Sequence, residues 1–331
     1  MSSQTIRNVV ISLVLGAFFL YLSFRNVPWG DLKAAFSTFD PFWLIPAVVI
    51  SLLLQVFRAW RWQLELRPLE EIGIGRLWVV ISIAYMMINL LPARLGEVVR
   101  PWLLSRRSSV KFSNVVGNLV VEKTLDSVCI IFYLLIGLIT TENLPDWVRH
   151  GAMVPAMIAA TLAALVTLLY LKGEPFVDRW VVRHLPERFA GGLKRVLRSF
   201  LDGMLILPNG RLLAAVFALS LAYWALPILS SWVVIRGFGF DVPFNAALMV
   251  FIFIGFGTAL PNPPAMVGVF QYACVLALGL FGVGQAEAVA YGVLLNALQV
   301  VTLIAQGLVA LPLAGVTLDD LRPAQQEAPA H

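Results

Sequence analysis

Several stretches of this chain stay apolar for close to 20 residues, the length an α-helix needs to cross a hydrocarbon core about 30 Å thick. They fall at 8–24, 41–64, 113–140, 150–171, 212–235 and 286–313. Inside lipid every backbone N–H and C=O must find a partner within the chain, so only helices and closed barrels can span. No stretch alternates apolar and polar residues in the manner of a membrane barrel strand. The pattern therefore predicts an all-α polytopic membrane protein with about six full spans. Composition agrees: 60% of the 331 residues are hydrophobic and 13% charged, with a mean hydropathy of +0.84.

The same reading excludes several chemistries. Arg7 before the first apolar run resembles a signal peptide, but no small-residue cleavage site follows at Ser23-Phe24-Arg25, so the run is read as a retained span. A net charge of +5 does not argue for nucleic acid here, because what matters is where the basic residues fall relative to the spans. Cys129 and Cys274 both lie in apolar runs, which argues against a disulfide framework or a thiolate metal site. His150, His184 and His331 are far apart, and the G-x-G fragments extend neither to a dinucleotide fingerprint nor to a Walker lysine. We therefore expect no cofactor, no metal, no nucleic-acid partner and no ATP hydrolysis by this chain.

Charge inside apolar sequence narrows the function. The run 77–91 is stopped by Pro92, after which Arg94, Glu97 and Arg100 stand three residues apart, on one face if helical. On insertion scales a charged residue at the centre of a span costs about 2.5–3.5 kcal/mol, so such residues face a cavity or one another. The alternative is that Pro92 ends a helix and these charges are a solvated loop. The arms 76–91 and 93–104 hold 16 and 12 residues, the longer about 24 Å as a helix. Neither comfortably crosses, which predicts a re-entrant hairpin with Pro92 near its tip, lining a cavity. Within 113–140, Asn114, Asn118, Glu122 and Asp126 recur every fourth residue, a step that drifts only about 40° on a helix. They form one slanted stripe with Lys123 beside it, expected to face the interior opposite the Arg94–Arg100 arm. If that helix began late, Asn114 and Asn118 would instead lie in water.

Elsewhere, 29–39 has the spacing of a short interfacial helix. Arg58, Trp60, Arg61 and Trp62, near the end of the second span, read as an interfacial anchor. The segment 172–211 carries eight Lys or Arg against four acids, and 193–204 within it reads as a basic amphipathic helix on an anionic cytoplasmic leaflet. A second pair of apolar arms, 243–260 and 266–281, is joined by Pro261-Asn262-Pro263-Pro264 and is either re-entrant or a pair of spans. A polar tail occupies 316–331. Positive charge places the amino terminus, 58–76, 106–111 and 172–211 inside, giving a multi-pass protein of a prokaryotic inner membrane with both termini cytoplasmic. The single transmembrane domain, 1–331, also reads as an inverted-topology repeat. In 41–140 and in 212–313 a span precedes a proline-centred hairpin and a polar span, the second with Asn296, Gln299 and Gln306. Paired interrupted segments of this kind point to a transporter's midplane site.

The motifs Leu91-Pro92-x-Arg94-x-Gly96-Glu97-x-x-Arg100 and Val121-Glu122-Lys123-x-x-Asp126 resemble the signature of the lysylphosphatidylglycerol synthase/flippase transmembrane-region family. Arg58-x-x-Arg61-Trp62 and the Pro261–Phe270 region fit it too, and the resemblance spans roughly 5–315. Two departures stand out. Pro264-Ala265-Met266 replaces a Pro-Gly-Gly, and Gln271 stands where similar proteins have Glu, which weakens any ion-coupling role for the second hairpin. About 18 residues follow Leu313, so the synthase domain that some relatives carry at the carboxyl end is expected to be absent.

The resemblance implies a lipid flippase or a transporter of a phospholipid or lipid-linked substrate, without aminoacyl-lipid synthesis. On that reading Arg94 and Arg100 hold a phosphate head group, which the guanidinium fork suits. Glu97, Glu122 and Asp126 balance them, and bind a lipid amine or a coupling proton or cation. Asn118, Lys123, Arg58, Arg61, Asn262 and Gln271 complete the candidate substrate-binding set. Two other classes stay open: a membrane-embedded transferase acting on a lipid phosphate with Glu122 or Asp126 as base, and a structural subunit held together by these ion pairs.

Overall fold

The computed structural model describes residues 3–90, 97–141, 144–151, 153–184, 187–258 and 263–315. The expected hairpin tips, with Pro92, Arg94, Pro261 and Asn262, and the polar tail from 316 onward lie outside the described residues.

Among the described residues all regular structure is helical. In chain order the helices are α1 (Ser3–Phe24), α2 (Trp29–Ser37), α3 (Leu44–Leu66), α4 (Ile74–Leu90), α5 (Val99–Ser105), α6 (Phe112–Thr140) and α7 (Asp146–Gly151). They continue as α8 (Met153–His184), α9 (Glu187–Asp202), α10 (Gly210–Gly237), α11 (Asn245–Thr258), α12 (Val269–Gly279) and α13 (Gln285–Ala314). The all-α polytopic expectation holds. Length and apolarity together suit three stretches of the described chain for crossing, Pro41–Leu66, Gly210–Gly237 and Gln285–Ala314. Counting α1 with α2, which meet at 84°, gives a fourth. That is fewer than the six read from sequence. The other two runs read as spans are also long helices, α6 with 29 residues and α8 with 32, and α8 includes the apolar stretch Ala156–Lys172.

Both interrupted segments are hairpins, and they enter from opposite ends. Seven-residue α5 rises only about 10 Å, so the chain that climbs in α4 cannot leave by the far side. The backbone N–H and hydroxyl of Ser109, just after α5, donate to the Glu70 carboxylate, just before α4, at 2.8 and 2.6 Å. Arg107 donates to the carbonyl of Ala314, placing the carboxyl end of α13 at the same end. The second hairpin, α11 and α12, begins where Asn245 donates to the Thr140 carbonyl at 2.8 Å. It finishes where Gln285 donates to the Ser23 carbonyl at 2.9 Å. One apolar core cluster gathers Leu32, Leu144, Phe238, Val242 and Ala288 around that end. A second, with Trp62, Leu66, Leu77 and Ala310, packs α3, α4, α5 and α13 at the other.

The second break is a strained turn. Ala265 and Met266 take φ of 54° and 55°, a left-handed conformation that costs a residue with a side chain roughly 1–2 kcal/mol. Gly268 follows at φ 91°, where a Cβ would run into the carbonyl of Gly16 on α1. Here α1 lies directly across the turn. A similar backbone approach joins Gly117 of α6 to the carbonyl of Phe200 on α9, which docks the amphipathic helix against the polar stripe.

Candidate functional site

Helix α3 supplies the centre of the site. Arg58, Arg61 and Glu65 stand three and four residues apart and so share a face; they are 7%, 2% and 1% exposed. The reading of this stretch as an interfacial anchor is corrected: Trp62 is wholly buried, and of the four residues named only Trp60 is exposed. An Arg–Trp cluster looks the same locally whether it meets headgroups or a protein interior; here α6 and α10 cover it.

The stripe on α6 meets this face. Asn114, Asn118, Glu122 and Asp126 are all buried, so the helix does not start late. Arg61 holds three carboxylates: Asp126 at 2.5 Å, Glu122 at 2.9 Å and Glu65 at 3.4 Å. Arg100 of α5 reaches Glu122 at 2.8 Å with its guanidinium 3.9 Å from the centre of the Trp62 ring, and Trp62 donates to Asn118 at 3.1 Å. The arm after Pro92 therefore does face the stripe, through Arg100. A buried charge is tolerable only when paired, and across α3, α5 and α6 each charge of this knot has an oppositely charged partner. The second half of the chain closes it: Trp224 of α10 donates to Asp126 at 2.8 Å.

Arg58 is held differently. Its donors go to the Gln55 amide oxygen and to the Tyr223 hydroxyl, the latter at 2.5 and 3.2 Å, and its guanidinium lies 3.6 Å from the centre of the Tyr85 ring. Among the described residues no carboxylate pairs with it.

A cavity of about 620 Å³ opens between the halves. Arg58, Glu97, Arg100, Lys123 and Asp126 line one side, and Asn296, Gln299, Thr302 and the strained Ala265–Met266 turn line the other. Asn296 donates to the Ala265 carbonyl at 3.0 Å and steadies that turn. Of the other sequence candidates, Arg61, Glu122 and Asn118 stand behind the wall, whereas Gln271 does not line the cavity at all. Its side chain accepts from the Gly268 N–H at 2.7 Å and caps α12. Arg94 and Asn262 lie outside the described residues. Sequence reading missed Gln55, Glu65, Tyr85, Tyr223 and Trp224. A signal existed for two of them, since Ser51, Gln55, Arg58 and Glu65 form a polar stripe on α3. Among the described residues no group of three His, Cys, Asp or Glu is placed to hold a metal ion.

An all-helical membrane bundle with two interrupted hairpins and a buried ionic cavity defines a class, the polytopic membrane proteins with a site inside the bundle. Comparison with known proteins makes it specific. The model of the lysylphosphatidylglycerol synthase TM region matches residues 9–307, and the chain belongs to that family. It is 21% identical to a UPF0104 membrane protein of Methanothermobacter thermautotrophicus, over 94% of this chain and 96% of that one. A second UPF0104 membrane protein of the same organism is also 21% identical, over 84% and 85%. Glycosyltransferase AglD of Haloferax volcanii is 26% identical over 88% of this chain but only 52% of its own length.

Proposed function

We propose that this protein moves a phospholipid or lipid-linked substrate with an anionic head group across the cytoplasmic membrane, without itself transforming it. The observation that carries the reading is the cavity: it is lined by Arg58, Arg100 and Lys123 and lies between hairpins that enter from opposite ends. A head group needs such a polar refuge midway, while its acyl chains stay in lipid. In this reading Arg94, Glu97 and Arg100 guard the first hairpin, and a proton or cation is the coupling partner.

The segments 41–140 and 212–313 act, on this proposal, as inverted repeats that rock about the cavity. Packing supports it. Exchanging α3 with α10, α4 with α11, α5 with α12 and α6 with α13 turns α3 on α4 into α10 on α11, and α4 on α13 into α11 on α6. It also turns α5 on α6 into α12 on α13, and leaves α3 on α10 as it is.

The test is translocation of fluorescently labelled phosphatidylglycerol in reconstituted vesicles. Wild type should speed it, and Arg94→Ala or Glu97→Gln should abolish it at unchanged expression; full transport by both variants refutes the assignment. The name of the AglD relative favours a second reading, a transferase acting on a lipid phosphate. Recovery of a chemically altered lipid from the same vesicles would mark it.

A further inference from the structure

The orphaned polar atoms of the cavity wall all have one character. Among the described residues, the buried side-chain atoms that lack a hydrogen-bond partner and belong to residues lining the cavity are Gln55 Nε2, Arg100 Nε and Arg100 Nη2. Each is a donor. Unpartnered acceptors exist, both Glu65 oxygens among them, but on residues that do not line the cavity. Lys123 adds a donor-only group to the same wall. Arg58, bonded to neutral groups alone, adds a positive charge that no carboxylate of the described chain offsets. Two carboxylates, Glu97 and Asp126, line the cavity against three cations, Arg58, Arg100 and Lys123, and Asp126 is already held by Arg61 and Trp224.

Leaving a buried donor unpaired costs about 1–3 kcal/mol, more for a charged group. A ligand that relieves these donors must present acceptors and negative charge. We infer that Gln55, Arg58, Arg100 and Lys123 form a seat for the phosphate of a head group that has no amine, such as phosphatidylglycerol. Glu65, Glu122 and Asp126 then belong to the protein's own ionic knot and do not receive a lipid amine. This rests on the lipid reading above and narrows it: an aminoacylated or choline head group is a poor fit, because the wall carries more cations than carboxylates and Asp126 is already held.

The experiment titrates the purified full chain in detergent, by calorimetry, with dihexanoyl phosphatidylglycerol, dihexanoyl phosphatidylcholine and inorganic phosphate. Wild type should prefer the glycerol lipid over the choline lipid. Arg58→Gln should weaken the glycerol lipid about tenfold or more, the scale of a lost charge-assisted hydrogen bond. Gln55→Glu, which puts an acceptor and a negative charge in the seat, should do the same should the first variant fold poorly. Equal affinity for the two lipids, or unchanged binding by both variants, overturns the seat while leaving lipid handling intact. Inorganic phosphate binding as tightly as the lipid upholds the seat and overturns the lipid reading.

Discussion

The two halves of this chain share a plan and differ in what they bury. From α3 to α6 the interior holds Arg58, Arg61, Glu65, Arg100, Glu122 and Asp126; from α10 to α13 the buried polar residues are neutral, Ser220, Ser230, Ser231, Gln271, Asn296, Thr302 and Gln306. The second half is knit by a large apolar cluster running from Ile228 to Leu298 and packed with aromatic rings such as Phe238, Phe251 and Tyr291. The contrast divides the wall of the cavity: one side carries the charge, and the other supplies neutral side chains and a strained turn. It also explains why Trp224 matters, since that indole joins the frame to the ionic knot.

The contrast can be broken most severely at Arg61. Arg61→Gln strands Glu65 and leaves Asp126 to Trp224 and Glu122 to Arg100 alone, and removing one partner of a buried pair costs about 3–5 kcal/mol; thermal unfolding in detergent should show loss of the monodisperse folded form. Arg58→Gln should cost much less stability, since no carboxylate is stranded, and equal losses for the two variants would erase the distinction drawn between them. Next, Gly268→Ala should destabilise the second half by about 1–3 kcal/mol, the usual scale of backbone strain, because its Cβ meets Gly16. Trp224→Phe removes one charge-assisted bond and should lower stability by about 1.5–3 kcal/mol; a shift indistinguishable from zero would mean the halves are not coupled through Asp126. Smallest, Ala265→Gly should stabilise by about 1 kcal/mol by relieving a left-handed residue, and a lowered melting temperature would show that the turn is not strained.

How much of this was legible depends on range. The α6 stripe could be read because its period of four is local, and the first hairpin because α4 and α5 are too short to cross. The facing of Arg58 and Arg61 could not, since what buries them is Tyr223, Trp224 and Asp126, 65 or more positions away in sequence. Glu65 sits one turn beyond Arg61, and nothing local marks it as buried. Gln271, chosen because it replaces a glutamate, caps its own helix instead.

The most direct test of the division between the halves is phosphatidylglycerol translocation in reconstituted vesicles by Arg58→Gln, from the charged side of the cavity, beside Gln299→Ala, from the neutral side. The account predicts that the arginine variant falls about tenfold or more, the scale of a lost charge-assisted contact, while the glutamine variant keeps most of the wild-type rate. Equal rates in the two variants would contradict it.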